Sequence, residues 1–290
     1  MVGSGDSDRY FDALADGIHD DLDRICAALL IDPEGVVLDV GANIGTTSAI
    51  FSQHVPEGQV YAFEPGPNAF AALEANIAAN GMSNVKPINL AVCAKPGTVR
   101  FVENSAYGHI TADGSGFDVA SGTIDDFVAS RALKRVDFIK IDVEGFERDV
   151  LAGAAETIEK FAPIIYMEFN LWCLLAFAKS DPIEFAESLV RKFRFVFAID
   201  AGQPEKARRI EAGQAARFVH DRLVGSGCID DLIATNDARV AGILESLVII
   251  PAAVEIASAE HHIGWRQIAV YIGRRLSLHA RSLIKGRNVS

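Results

Sequence analysis

The stretch FIKIDVEGFER, residues 138–148, sets Lys140, Asp142 and Glu144 on alternate positions. Alternate side chains of an extended segment share one side, so three charges would gather at the end of an apolar run. Burying charge without a partner is costly, and such a group reads as a place where a proton is taken up. Asp142 is the first candidate base, with Glu144 and His109 behind it. The bland reading has Lys140 paired with a neighbouring acid and the rest capping a helix. Glu168 in YMEFN ends the next apolar run and points to the same rim. Two carboxylates on separate strands are too few oxygen ligands for magnesium, so no metal is assigned.

A second candidate site lies upstream in VVLDVGANIGTTSAIF, residues 36–51. Gly41 and Gly45 allow a tight turn and a close backbone approach, while Asp39 can orient that turn by accepting N–H bonds. Asn43 and Ile44 occupy the space that a G-x-G-x-x-G loop leaves for a pyrophosphate. A ligand without a pyrophosphate fits better, and S-adenosylmethionine is the common candidate. Glu64 in VYAFEP follows Gly45 by 19 residues, counted on the sequence. Dinucleotide folds bind ribose hydroxyls with a carboxylate at about this offset. Ala91, in the NLAV that ends the third apolar run, is read as part of an adenine slot.

These residues need strands to carry them. VVLDV, QVYAFEP, NVKPINLAV, VDFIKIDVEG, PIIYMEFN, RFVFAID and IDDLIAT alternate with helical segments, which suits a parallel sheet covered on both faces. Helices are predicted over 46–54, 68–80, ERDVLAGAAETIEKF and DPIEFAESLVRKF. KPGTVRFVEN reads as a hairpin. The glycine- and serine-rich stretch 102–122, which holds His109, reads as an active-site loop. The predicted organisation is an N-terminal helical segment at 1–31, an α/β domain at 32–240 and a helical basic extension at 241–290.

The chain has 290 residues and a net charge of −12, which argues against nucleic acid as a partner. Between His261 and the end there are six basic residues and no acid. That tail could touch an acidic membrane surface or a second subunit. Cys26, Cys93, Cys173 and Cys228 lack C-x-x-C spacing, which favours reduced thiols. No apolar run reaches the ~18 residues of a membrane span and the first residues do not read as a signal peptide. The chain is read as cytoplasmic.

LDVGANIG, AFEPGP, AVCAKPGTVRF, TIDDF, DFIKIDVEGFE and PIIYMEFN, in this order, resemble the FkbM family of S-adenosylmethionine-dependent methyltransferases. The resemblance covers about residues 36–200. It implies a doubly wound, mostly parallel, seven-stranded Rossmann-like sheet of the class I methyltransferase type, with a reversed final strand. It also implies O-methylation of a saccharide or secondary metabolite. By the same resemblance Gly41, Asn43 and Gly45 surround the methionine moiety, Glu64 holds the ribose and Asp142 lies near the reacting methyl group. A nicotinamide-dependent oxidoreductase and a non-catalytic cofactor-binding protein are the rival expectations.

Overall fold

A computed structural model of the chain describes residues 20–29, 31–103, 108–111, 113–200, 203–224 and 228–246. The first half holds α1 (Asp20–Leu29), β1 (Val36–Val40), α2 (Thr46–His54), β2 (Gln59–Phe63), α3 (Pro67–Asn80), β3 (Val85–Ile88) and β4 (Ala91–Val92). Next come β5 (Gly97–Val102), β6 (His109–Ile110), β7 (Phe117–Gly122), α4 (Ile124–Ser130), β8 (Phe138–Ile141), α5 (Glu147–Ala152) and α6 (Ala155–Phe161). The remainder is β9 (Ile164–Asn170), α7 (Leu171–Ala176), α8 (Pro182–Lys192), β10 (Phe195–Asp200), β11 (Gln203–Arg209), α9 (Ala215–Val224), β12 (Ile229–Thr235) and α10 (Ala238–Ser246).

The main sheet runs β11-β10-β12-β9-β8-β1-β2-β3. From β3 to β9 all neighbours are parallel, and β12 enters antiparallel between β9 and β10. Period-2 alternation sends successive residues of these strands to opposite faces, and most of them are apolar on both. Leu38, Ile139, Ile141, Ile165, Met167 and Phe169 turn to one core, packed with residues of α4–α9. Val37, Phe138, Ile164 and Tyr166 turn to the opposite core, shared with α1, α2 and α10. A sheet covered on both faces buries both sets of side chains.

The sheet has eight strands rather than seven. The additional β11 pairs antiparallel with β10 at the edge, and its segment QPEKARR carries no apolar run to announce it. NVKPINLAV is two strands in two sheets: β3 ends at Ile88, and β4 belongs to a separate sheet of order β4-β7-β5-β6. Much of the segment 102–122, read as a loop, therefore supplies strands β6 and β7. The helix predicted through 147–161 breaks at Gly153, where an added Cβ would lie 2.2 Å from the Cys93 carbonyl oxygen. Residues 10–19 of the first predicted helix and residues 247–290 lie outside the described set.

The strand carrying the site is fixed by aromatic packing. Phe169 on β9 is fully buried, stacked on Phe185 of α8 at 5.8 Å and tilted against Phe218 of α9 at 5.5 Å. Phe169→Ala leaves a cavity between these rings and is expected to cost about 3–5 kcal/mol, read as a lower urea midpoint with an unchanged slope.

Candidate functional site

The turn after β1 is built on a buried ion pair. Asp39 and Lys140 face each other in register on β1 and β8, with Lys140 Nζ 3.8 Å from Asp39 Oδ1. Thr47 and Ser48, in the first turn of α2, donate their hydroxyls to Asp39 Oδ2 at 2.8 and 2.5 Å. Lys140 Nζ also donates to the Gly41 carbonyl at 2.9 Å and lies 3.3 Å from Asp142 Oδ2. Asp39 thus orients the turn through side chains of α2 and through Lys140, where the sequence suggested backbone N–H groups.

Gly41, Asn43 and Gly45 all have positive φ, at 79°, 50° and 92°. A Cβ on Gly41 would sit 1.8 Å from the Asp142 carbonyl oxygen, and one on Gly45 would sit 2.6 Å from Leu73 Cδ1. Gly41 is needed by backbone packing itself, whereas Gly45 is favoured by its left-handed φ, since the Leu73 side chain can move. The turn after β1 rests directly on the turn after β8, so the two candidate sites form one structure.

Glu64 follows β2 and is 6% exposed. Its Oε2 accepts from the Asn43 N–H at 2.9 Å and its Oε1 from the Gly66 N–H at 2.7 Å. Burial lifts the Glu64 carboxyl to about 7, against the pull of those two bonds. Each carboxylate oxygen keeps acceptor capacity beyond one N–H, so the group can take hydroxyl donors while locking the turn. Glu103, beyond β5, accepts from the Asn68 and Ala69 N–H groups at 3.0 and 2.9 Å and caps α3 beside Glu64. Ala91 is buried on β4, paired with Ser121 of β7, three residues past the end of β3.

β8 stops at Ile141, so Asp142 and Glu144 stand in a turn and not on one side of a strand. Glu144 has φ 54° and Gly145 φ 101°. A Cβ on Gly145 would lie 2.6 Å from the Cys173 carbonyl oxygen, which presses this turn onto α7. Cys173 Sγ donates to Glu144 Oε2 at 2.9 Å. Burial first, and the Asp142 charge second, lift the Glu144 carboxyl to about 7. Glu147 closes the turn by accepting from the Gly145 and Val143 N–H groups at 3.0 and 3.3 Å. Burial lifts Glu147 to about 7 as well. Glu168 on β9 is pushed well above the usual carboxylate range by burial and by Asp142, Glu144, Glu147 and Asp231.

His109 on β6 stacks on Phe177, just past α7, with ring centroids 3.9 Å apart. The second sheet thereby reaches the helix that supplies Cys173. Among the described residues, no three His, Cys, Asp or Glu side chains gather where one metal ion could hold them. Sequence reasoning missed Cys173, Glu147 and Glu103. Cys173 had only its place in LWCLLA, whereas E-G-F-E contains a signal for Glu147, a carboxylate entering a helix after a glycine. Asn170 was also missed; it caps α7 by accepting from the Trp172 and Cys173 N–H groups.

Residues 39–193 match the methyltransferase FkbM domain. NoeI of Sinorhizobium fredii, a 2-O-methyltransferase, is 32% identical over 167 residues, which are 51% of this chain and 68% of NoeI. The hexuronic acid methyltransferase AglP of Haloferax volcanii is 28% identical over 132 residues, 44% of this chain and 53% of AglP. The crystal structure of a methyltransferase FkbM from Methylobacillus flagellatus aligns with a TM-score of 0.37 at 20% identity, over 47% of this chain and 33% of that one. The matched segment starts inside β1, at Asp39, and ends just past α8, so it contains Gly41, Glu64, Asp142, Glu144 and Glu168. With its mostly parallel sheet and reversed last strand, this chain belongs to the FkbM family of class I methyltransferases.

Proposed function

We propose that the chain methylates a hydroxyl oxygen of a saccharide, with S-adenosylmethionine as the donor held between the turns after β1, β2 and β8. Bound there, the donor would supply an electrophilic methyl group on a sulfonium. The observation that carries this reading is Glu64, a buried carboxylate fastened to the Asn43 N–H across the mouth of the glycine turn.

The charge of the site agrees with that ligand. Asp39, Glu64, Asp142 and Glu144 lie around Lys140 along the strand ends, and Glu168 adds a further acid beside Asp142 and Glu144. A net-positive sulfonium is favoured in such surroundings, and a dinucleotide pyrophosphate is repelled. Asp39 also takes the hydroxyls at the start of α2, the place where a dinucleotide fold would seat its phosphates. These features disfavour the nicotinamide reading.

The turns would hold the donor still, and the rim would bring an acceptor hydroxyl in line with the methyl group. Orientation of this kind is worth ~7–11 kcal/mol of barrier. The acid pair Asp142 and Glu144 supplies the proton acceptor an alcohol needs. The saccharide assignment is supported by the name of AglP, a hexuronic acid methyltransferase, and the oxygen acceptor by that of NoeI, a 2-O-methyltransferase. It is supported also by Trp172, 69% exposed on α7 beside the rim, where an aromatic face suits a sugar ring. Among the described residues no helix is long and apolar enough to cross a membrane.

Calorimetry with S-adenosylmethionine and its demethylated product, followed by a labelled-methyl assay on pooled saccharides, tests the proposal; absence of heat with both ligands overturns it. Because Glu64 is neutral below about 7, it accepts hydroxyls as a carboxylate only above that pH. Donor affinity is therefore expected to rise as pH is raised through neutrality. Glu64→Gln is expected to abolish that rise and to weaken binding about 10- to 100-fold at pH 8, the loss of one charge-assisted bond.

A further inference from the structure

We propose that Glu144, and not Asp142, removes the proton of the acceptor hydroxyl, and that Cys173 is a positioning residue that holds Glu144 for this task. The inference rests on the methyl-transfer reading and assigns the base within it.

The two acids stand in different surroundings. Asp142 lies 3.3 Å from Lys140 Nζ, which also donates to the Gly41 carbonyl. The Asp142 backbone carbonyl fills the space left by the missing side chain of Gly41. Asp142 is tied to the cofactor turn on both counts. Glu144 is tied to the other side, toward α7, through Cys173. Among the described residues its second oxygen, Oε1, carries no hydrogen bond.

The backbone supports the same assignment. A left-handed conformation at a non-glycine residue is unfavourable and persists where surrounding structure imposes it. Here the imposing contacts are identifiable: the Gly145 Cα lies against the Cys173 carbonyl, and Glu147 takes the Val143 and Gly145 N–H groups. The bend turns Glu144 out of the line of β8 and onto the thiol. Cys173 is 4% exposed, and its own N–H donates to the Asn170 side-chain Oδ1 at 3.2 Å.

A buried thiol suits this role because it stays neutral. Burial and the Glu144 carboxylate push its ionisation far above the ordinary thiol range, so at working pH it is an S–H donor. Glu144 is faced by Lys140 from β8, Asp142 from the turn after it, Cys173 from α7 and Glu168 from β9, while Glu147 of α5 closes the same turn. Burial and Asp142 raise its proton affinity, while Cys173 and Lys140 lower it, and the balance lies at about 7. General bases work best near the operating pH. In the step itself the hydroxyl proton passes to Glu144 Oε1 as the acceptor oxygen bonds the methyl carbon. The C–S electron pair stays on sulfur, which leaves as a neutral thioether, and the proton is returned to water from the neutral acid.

The test uses the full chain as wild type, Glu144→Gln, Asp142→Asn, Cys173→Ala and Cys173→Ser, with pH–rate profiles of kcat/KM for the acceptor at saturating donor, where the Glu64 dependence of donor affinity drops out. Donor calorimetry runs beside them, with carbon-13 titration of labelled glutamate carboxyls in the unligated protein. The Glu144 resonance is assigned by its loss in E144Q. E144Q is expected to lower kcat about 10²- to 10⁴-fold, to erase the rising limb near neutrality and to keep donor binding detectable by calorimetry. C173A is expected to move the Glu144 midpoint and the rising limb upward together, making turnover slower at pH 6.5 by about 3- to 10-fold and little changed at pH 9. C173S, which keeps a donor, restores both. The proposal is overturned if E144Q retains the rising limb, if D142N alone removes it, or if C173A leaves the Glu144 midpoint in place. Absence of donor heat in the wild type would instead remove the methyltransferase reading on which all this stands.

Discussion

The ion pair between Asp39 and Lys140 is the contact on which the candidate site depends. Both side chains are almost fully buried, at 0% and 4% exposure, side by side on two adjacent inner strands of the sheet. Removing one partner from such a pair leaves an uncompensated buried charge, worth about 3–5 kcal/mol. The pair endures because each member has further partners. Asp39 takes two hydroxyls from α2, and Lys140 takes the Gly41 carbonyl and the Asp142 carboxylate. One lysine therefore sets the start of a helix, the path of a glycine turn and the position of a candidate catalytic acid.

From that pair outward the site behaves as a single body. The Gly41 backbone touches the Asp142 carbonyl, the Asn43 N–H reaches Glu64, and the Gly145 backbone touches that of Cys173. Three turns after three strands and the first turns of two helices are joined by contacts that admit no extra atom. Glycine serves here mainly to let protein approach protein. The turn geometry a ligand would meet is thus present before any ligand arrives, which is what positioning chemistry requires.

The central strands could be read from the sequence because burial on both faces leaves VVLDV, FIKI and IIYMEFN apolar apart from Asp39, Lys140, Glu168 and Asn170. β11 left no such mark, since an edge strand needs only backbone pairing and QPEKARR supplies that with polar side chains. β6 and β7 were hidden for a related reason. Their small sheet is half-exposed, and the glycines around it suggested a loop. Glu64 and Gly41 were legible as candidates placed at neighbouring strand ends because their spacing follows from strand and helix lengths. Glu144 was legible as a charge but not as a geometry, since alternation along β8 does not survive the left-handed bend after Ile141. Cys173 was not legible at all: its partner lies 29 residues away across two turns, and nothing local in LWCLLA records that meeting.

The acids of the site also carry a thermodynamic consequence. Glu64, Glu144 and Glu147 each ionise near 7 in the folded chain, against an ordinary value near 4.5. Between those limits the folded state holds protons that the unfolded chain has released, so stability falls as pH rises through that window. The fold thus keeps carboxyls where burial and mutual repulsion disfavour their charge. A cation entering the site relieves that repulsion and favours the ionised forms that receive hydroxyls and protons. Buried acids that weaken the empty protein at neutral pH are therefore the same features that suit it to a positively charged donor.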